Sequence, residues 1–368
     1  MHTIKISDLK KEYKKLKIPI DKEINSVIKS CNFILGPKVI ELENKLKKFI
    51  NCKYAIGVSS GTDALLISLL SCNVKVNDEI IIPSLTWVST AEVISLIGAK
   101  PVFVDVNLRN GLIDINKIKN KITKKTKAII AVGLYGFIPN LDELKKLSKQ
   151  ENLYLIDDAA QSFGSKFNKK YSTNYCDMVC TSFFPGKILG CYGDGGAIFT
   201  NNKKLYQNAI RIRNHGQIQK SNAEIQGING RLDSIQAAIL IPKLKILKKE
   251  INLRKKIYNR YQKKLTKKIT ILQPDNKCDH NYSSIPMLTN NRENLKKFLE
   301  KKGIQTQIIY NKSVPEQKFF RKLKINKKDY INSNIISKQI ISIPCHGYLK
   351  KKDVDYIINS VNIFYDKK

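Results

Sequence analysis

The chain has 368 residues, 42% of them hydrophobic, enough to bury one large core and a smaller one, so two domains are expected. Its net charge of +35 lies mostly on lysine doublets over helix faces, as in Lys243 to Lys256 and Lys296 to Lys302, without the arginine–aromatic interleaving that reads bases, which argues against specific nucleic-acid binding. No apolar run is long enough for a bilayer span, Met1 to Asp8 lack an apolar leader core, and the eight cysteines form no Cys-x-x-Cys pair, so a cytoplasmic chain with reduced thiols, no metal and no membrane contact is predicted.

In chain order, a polar N-terminal segment precedes a helical pattern from Ser26 to Ile50 that is interrupted at Leu35-Gly36-Pro37. Short apolar runs follow: Tyr54 to Ser59, Glu79 to Pro83, Pro101 to Val106, Ala128 to Leu134, Leu153 to Asp157, Met178 to Phe183 and Ala197 to Thr200. Amphipathic stretches separate them. Strands alternating with helix-length segments predict an α/β fold, a largely parallel sheet covered on both faces. Leu232 to Leu265 carries Ile235, Ala238, Ile239, Leu244 and Leu247 at helical spacing and is long enough to bridge to a second domain. Pro242 within it predicts a kink or a break. Ile269 to Lys368 holds shorter strand and helix patterns punctuated by Pro274, Pro286, Pro315 and Pro344.

Several strand ends carry chemistry. Tyr54 to Leu65 reads as strand, small-residue turn and helix start, and Ser60-Gly61-Thr62 there can seat a phosphate on free helix amides or simply cap the helix. Trp87, the single tryptophan, follows a strand and can stack on a planar ring or pack into the core. Asp157-Asp158 sit at the carboxyl end of an apolar strand, where ligands of such sheets bind. One aspartate there can pair with the ring nitrogen of a pyridine cofactor; the other reading, a helix cap, suits one of the two but not both. Lys187 is the single lysine between Tyr171 and Asn202, among glycines and aromatics. Desolvation there would lower its pKa and expose the amine that a Schiff-base lysine needs; a solvated turn lysine is the alternative.

These features resemble fold type I pyridoxal-phosphate enzymes and, more narrowly, the DegT/StrS family of nucleotide-sugar aminotransferases. Four blocks carry the resemblance in order: Ser60-Gly61-Thr62-Asp63-Ala64-Leu65, Asp158 to Gly164, Ser182-Phe183-Phe184-Pro185-Gly186-Lys187, and Asn229-Gly230-Arg231-Leu232-Asp233 with Gln236-Ala237-Ala238. It implies a large domain over residues 1–245 with a seven-stranded, mostly parallel sheet, and a smaller α+β domain over 246–368. By resemblance Lys187 carries pyridoxal 5'-phosphate and shuttles the proton, Asp158 binds the pyridine nitrogen and Gln161 lies near the ring hydroxyl. Trp87 stacks on the ring, and Gly61, Thr62 and Ser182 hold the phosphate. Asn229 reaches the phosphate of the neighbouring subunit, which implies a homodimer with shared sites, and Arg231 and Tyr310 meet the substrate.

The implied reaction moves an amino group from L-glutamate to a nucleotide-linked keto sugar for surface polysaccharide synthesis. Phe183 to Lys187, Leu189 to Thr200, Asn214-His215-Gly216-Gln217 and Leu240 to Leu244 resemble the branch that aminates carbon 3 of a UDP-linked 3-keto N-acetylglucosaminuronate. Two positions depart from it: Ile309-Tyr310-Asn311 stands where that branch has His-Tyr-Pro, and Gly230 replaces a serine. Amination at carbon 4 is the alternative within the class. A regulatory or nucleic-acid-binding protein on the same fold is the alternative outside it.

Overall fold

A computed structural model describes residues 3–219, 221–323 and 326–366. The chain opens on helix α1 (Leu9–Ser30), capped by the Asp8 carboxylate, which accepts from the Lys11 amide. This corrects the expectation of a helix starting only at Ser26. The lysines of α1 mask a narrow buried stripe of Leu16, Ile20 and Val27, and Pro19 sits inside the helix without ending it. Helix α2 (Pro37–Ile50) starts on a proline, whose missing N–H falls where the helix has no use for it.

Next come β1 (Tyr54–Val58), α3 (Gly61–Ser71), β2 (Glu79–Pro83), α4 (Ser89–Leu96), β3 (Lys100–Val104), β4 (Thr126–Val132), α5 (Leu141–Gln150) and β5 (Tyr154–Asp158). The short β6 (Lys166–Phe167) precedes β7 (Met178–Ser182) and β8 (Gly196–Thr200). Seven of these strands form one sheet in the order β1-β8-β7-β5-β4-β2-β3. Strand β8 runs antiparallel to both neighbours, and the other pairings are parallel. Alternate residues feed different faces: Ile81, Ile129 and Leu155 enter one core, and Ile80, Ile82, Ile130 and Ile156 the other. A sheet buried on both faces needs the near-continuous apolar strands that this sequence supplies.

Helix α6 (Lys203–Arg213) and a small ribbon, β9 (Gln217–Gln219) with β10 (Asn222–Ala223), lead to α7 (Ser234–Lys264). The expected interruption at Pro242 is absent: α7 runs unbroken through it. Packing against α1 and α2 holds that turn although the proline removes a hydrogen bond. The remainder holds β11 (Thr270–Ile271), β12 (Cys278–Asp279), which pairs with β6, β13 (Ile285–Leu288), α8 (Arg292–Lys301), α9 (Ile331–Gln339), β14 (Ile340–Ile343) and α10 (Lys351–Asp366). Strands β11, β13 and β14 form a separate antiparallel sheet. Leu240, Leu244 and Leu247 of α7 belong to the core of the large sheet, whereas Tyr258 and Tyr261 belong to that of the small one. We propose a domain division near residue 245, inside this helix. No helix among the described residues is long and apolar enough to cross a membrane.

Asp105, immediately after β3, clasps the small body to the large sheet. Only 2% exposed, it accepts from the amides of Asn332 (3.1 Å) and Ser333 (3.0 Å) and from Ser333 Oγ (2.6 Å), at the start of α9. Burial alone would raise its pKa, but the Ser333 and Asn332 hydrogen bonds outweigh it and hold the carboxyl below its usual value. A depressed folded pKa gives stability that is present above the unfolded value and lost as pH falls through the folded one. Asp105→Ala leaves buried donors unpaired and should cost about 1–3 kcal/mol in urea unfolding at neutral pH. The deficit should shrink in acid; a deficit unchanged from pH 7 to pH 3 would contradict the charged clasp.

Candidate active site

A cavity of about 530 Å³ opens at the carboxyl ends of β4, β5 and β7. Register builds one wall of it. Gly196, the first residue of β8, pairs with Val58 on one side and Ser182 on the other, so the turn after β1 meets the end of β7. Ser60 caps α3 by accepting from the Asp63 amide at 3.0 Å, while Gly61 and Thr62, in its first turn, line the cavity with Ser182. A Cβ on Gly61 would stand 2.7 Å from that of Ser182, so only glycine lets these backbones close up. Amides of a helix N-terminus and two hydroxyls thus converge on a seat for an anion.

The paired aspartates end β5 and point to opposite faces. Asp158 lines the cavity, and its carboxylate accepts from Thr90 Oγ1 (3.0 Å) and the Ala160 amide (3.2 Å). Burial raises its pKa, opposed by these bonds and by the Lys187 charge. Asp157 faces the core, fully buried, with no hydrogen bond to either carboxylate oxygen. Burial pushes its pKa up to about 7, and the nearby Ser172 only partly opposes this.

Lys187 follows the turn after β7, where its amide donates to the Phe184 carbonyl at 2.8 Å. Burial lowers its pKa, and the Asp158 charge partly opposes that. The loop is pinned from behind by Lys243, whose buried ammonium donates to the Gly190 carbonyl and pairs with Glu12 of α1 at 2.6 Å. Trp87 is 58% exposed at the cavity rim, with its ring 6.0 Å from that of Tyr310, so it is not a core tryptophan. The Gln161 amide is fixed at both ends: Oε1 accepts from the Tyr135 amide (3.0 Å) and Nε2 donates to Tyr310 Oη (2.7 Å). One Nε2 hydrogen is left to face a ligand.

Lys187, Asp158, Gly61, Thr62, Trp87, Gln161, Ser182 and Tyr310 all line this one cavity. Asn229 and Arg231 do not line it. Asn229 bridges to Asn214, and Arg231 Nη1 donates to Asn214 Oδ1 at 3.0 Å. Sequence reasoning missed Thr90, Arg254, Ser283, Ser284 and Gln307. The hydroxyls just after Trp87 were a usable signal for Thr90. Arg254 was hidden in the lysine-rich half of α7, and the other three come from irregular segments without a pattern.

The residues present fit a phosphorylated pyridine: an anion seat, a buried carboxylate, a desolvated amine and an aromatic at the rim share one cavity of sufficient size. Residues 15–362 match the profile of the DegT/DnrJ/EryC1/StrS aminotransferase family. The chain is 39% identical to a UDP-2-acetamido-2-deoxy-3-oxo-D-glucuronate aminotransferase of Pseudomonas aeruginosa, over 96% of this chain and 98% of that one. It is 34% identical to a pleiotropic regulatory protein of Geobacillus stearothermophilus, over 97% of each. The crystal structure of S. venezuelae DesV, in complex with a ketimine intermediate, superposes with a TM-score of 0.96 at 28% identity, covering 99% of each chain.

Asp157 makes the site's foundation pH-sensitive. A carboxyl with a folded pKa near 7 and an unfolded one near ~3.9 binds more protons when folded, so its contribution to stability falls as pH rises between them. Asp157→Asn cannot ionise. Between pH 5 and pH 8 the urea midpoint of the variant should gain on that of the wild type; a difference independent of pH would refute the raised pKa.

Proposed function

The chain belongs to the DegT/DnrJ/EryC1/StrS aminotransferase family, and on that premise we propose that it moves the amino group of L-glutamate to carbon 3 of a nucleotide-linked 3-keto sugar, with pyridoxal 5'-phosphate as cofactor. The observation that carries this reading is the placement of the desolvated Lys187 and the buried Asp158 in one cavity beside the N-terminus of α3. The relative that acts on a UDP-linked 3-oxo glucuronate supports carbon 3. A regulatory role is the weaker reading, because a binding protein has no use for the lysine, the aspartate and the anion seat together.

Pyridoxal phosphate, when bound, supplies an aromatic electron sink and the carbonyl that ferries the amino group. Gly61, Thr62 and Ser182 hold its phosphate. Asp158 keeps a proton on the ring nitrogen, which an ion pair in a dry site favours. Gln161 would offer its spare hydrogen, and Trp87 its aromatic ring, to the bound group. Lys187 would be the attachment point, and once displaced its amine, made less basic by burial, would move a proton between the donor's α-carbon and the cofactor and, in the second half, between the cofactor and the sugar carbon. Tyr310 contacts the sugar. Asn229 and Arg231 complete the site of a second copy, so the working unit is a homodimer; twofold dimers are the commonest soluble assembly. Ile309 lines the cavity where a histidine stands in the branch acting on uronates, so the group at the sugar's carbon 6 is decided by comparing a 3-keto uronate with its 6-deoxy counterpart.

Purified enzyme should be yellow, L-glutamate should bleach that band, and a 3-keto nucleotide sugar should restore it. Borohydride reduction and peptide mapping should find the pyridoxyl group on Lys187; recovery on another lysine would refute the assignment. Asp158→Asn should lower kcat by about 10²–10³-fold and far more than Asp157→Asn does, whereas equal losses would remove the distinction between them. Mixing Lys187→Ala with Asn229→Ala subunits should restore part of the activity, and verified hybrids without activity would argue against shared sites.

A further inference from the structure

We propose that Arg254 is a carboxylate-binding residue of this cavity and reads a carboxylate on one of the two reactants; the inference rests on the aminotransferase reading above. Arg254 lies in the second half of α7 and lines the large cavity from the side of the small sheet, with Ser283, Ser284 and Gln307. With Lys187 it also lines a smaller adjoining cavity, which Asp8, Glu12 and Glu250 share. A group held by Arg254 would lie in the cavity that Lys187 also lines.

Arg213, Arg260 and Arg292 each meet a carboxylate, at 2.8 Å for Arg213 with Glu43 and for Arg292 with Glu293. Arg254 forms no ion pair among the described residues. Glu250, one turn earlier on α7, pairs with Lys15 at 3.5 Å instead. Nη1 of Arg254 donates to the Cys345 carbonyl at 2.8 Å, which fixes the side chain, while Nε is buried without a partner, as it is in Arg213 and Arg231. An always-charged group that lines a cavity, anchored at one nitrogen and without an ion pair among the described residues, can turn its remaining N–H groups to an anion there. The guanidinium fork suits the two oxygens of a carboxylate better than a lysine would. Two sources offer that chemistry, the amino donor and a sugar acid.

The test uses holoenzyme and unreactive probes, so that binding is read apart from turnover. Calorimetry would compare glutarate, which carries the donor's carboxylates without its amine, and UDP-glucuronate against UDP-glucose. Arg254→Gln should weaken glutarate, or UDP-glucuronate but not UDP-glucose, by about 10- to 100-fold, and the affected arm identifies the source. Arg254→Lys, which keeps the charge and loses the fork, should fall between. The proposal is overturned if neither carboxylate probe binds the wild type, if neither is weakened in Arg254→Gln, or if UDP-glucose and UDP-glucuronate weaken equally. Intact carboxylate binding in an enzyme that glutamate fails to bleach would instead count against the aminotransferase reading.

Discussion

A Cβ on Gly196 would stand 2.5 Å from the Ser60 carbonyl oxygen, so β8 can lie between β1 and β7 only with glycine at that position. That register carries much of the cavity. It brings the turn into α3 against Ser182, and Gly61 closes the remaining gap. Parallel pairing does the rest: Asp158 lies opposite Val132 of β4 and Cys180 of β7, at the edge where the helix N-terminus opens. Groups far apart in sequence are thus placed by backbone ladders, which are stiffer than side-chain contacts.

Burial divides the chain's cations into two kinds. Most of the +35 charge sits on lysines that face water, where salt screens it and individual pairs contribute little. Lys187 and Lys243 behave differently because their surroundings exclude water, and Arg254 stands half-buried in the cavity wall. Lys187 loses basicity, Lys243 ties α1 to the loop behind Lys187 through Glu12 and Gly190, and Arg254 lines the cavity without an ion pair among the described residues. The N-terminal helix, polar for most of its length, is in this way part of the support of the reactive loop.

The small body meets the large one through an apolar cluster, in which Leu85, Val106, Leu134 and Phe137 pack with Leu272, Leu288, Ile336 and Ile340, and polar anchors pin it over the cavity. The Asn281 amide group donates to the carbonyls of Gln161 and Phe163, at 2.8 and 3.0 Å, and so fixes the loop that carries Gln161. Asp105 performs the same service at α9. Gly136, in the left-handed region at φ 94°, leaves room for this clamp, since a Cβ there would lie 2.3 Å from Asn281 Oδ1.

The strands of the large sheet were legible because each is a short apolar run, and a strand buried on both faces has no other way to be written. The cavity's lysine, aspartate and helix-start residues were legible for a related reason: each breaks the local pattern, as Lys187 does in a stretch without other lysines. Helix α1 was not, since three buried residues among lysines give too weak a period, and its helix is held by contact with α7. Nor was the continuity of α7 through Pro242, where packing on both sides overrides a local penalty. Composition also could not separate Arg254 from its neighbours, because an arginine in a basic helix looks solvated until the fold shows which face is covered. Sequence by itself determined which residues could do chemistry and the order of the strands along the chain. Tertiary structure decided which charges lose their water, because desolvation depends on what other segments bring against a residue.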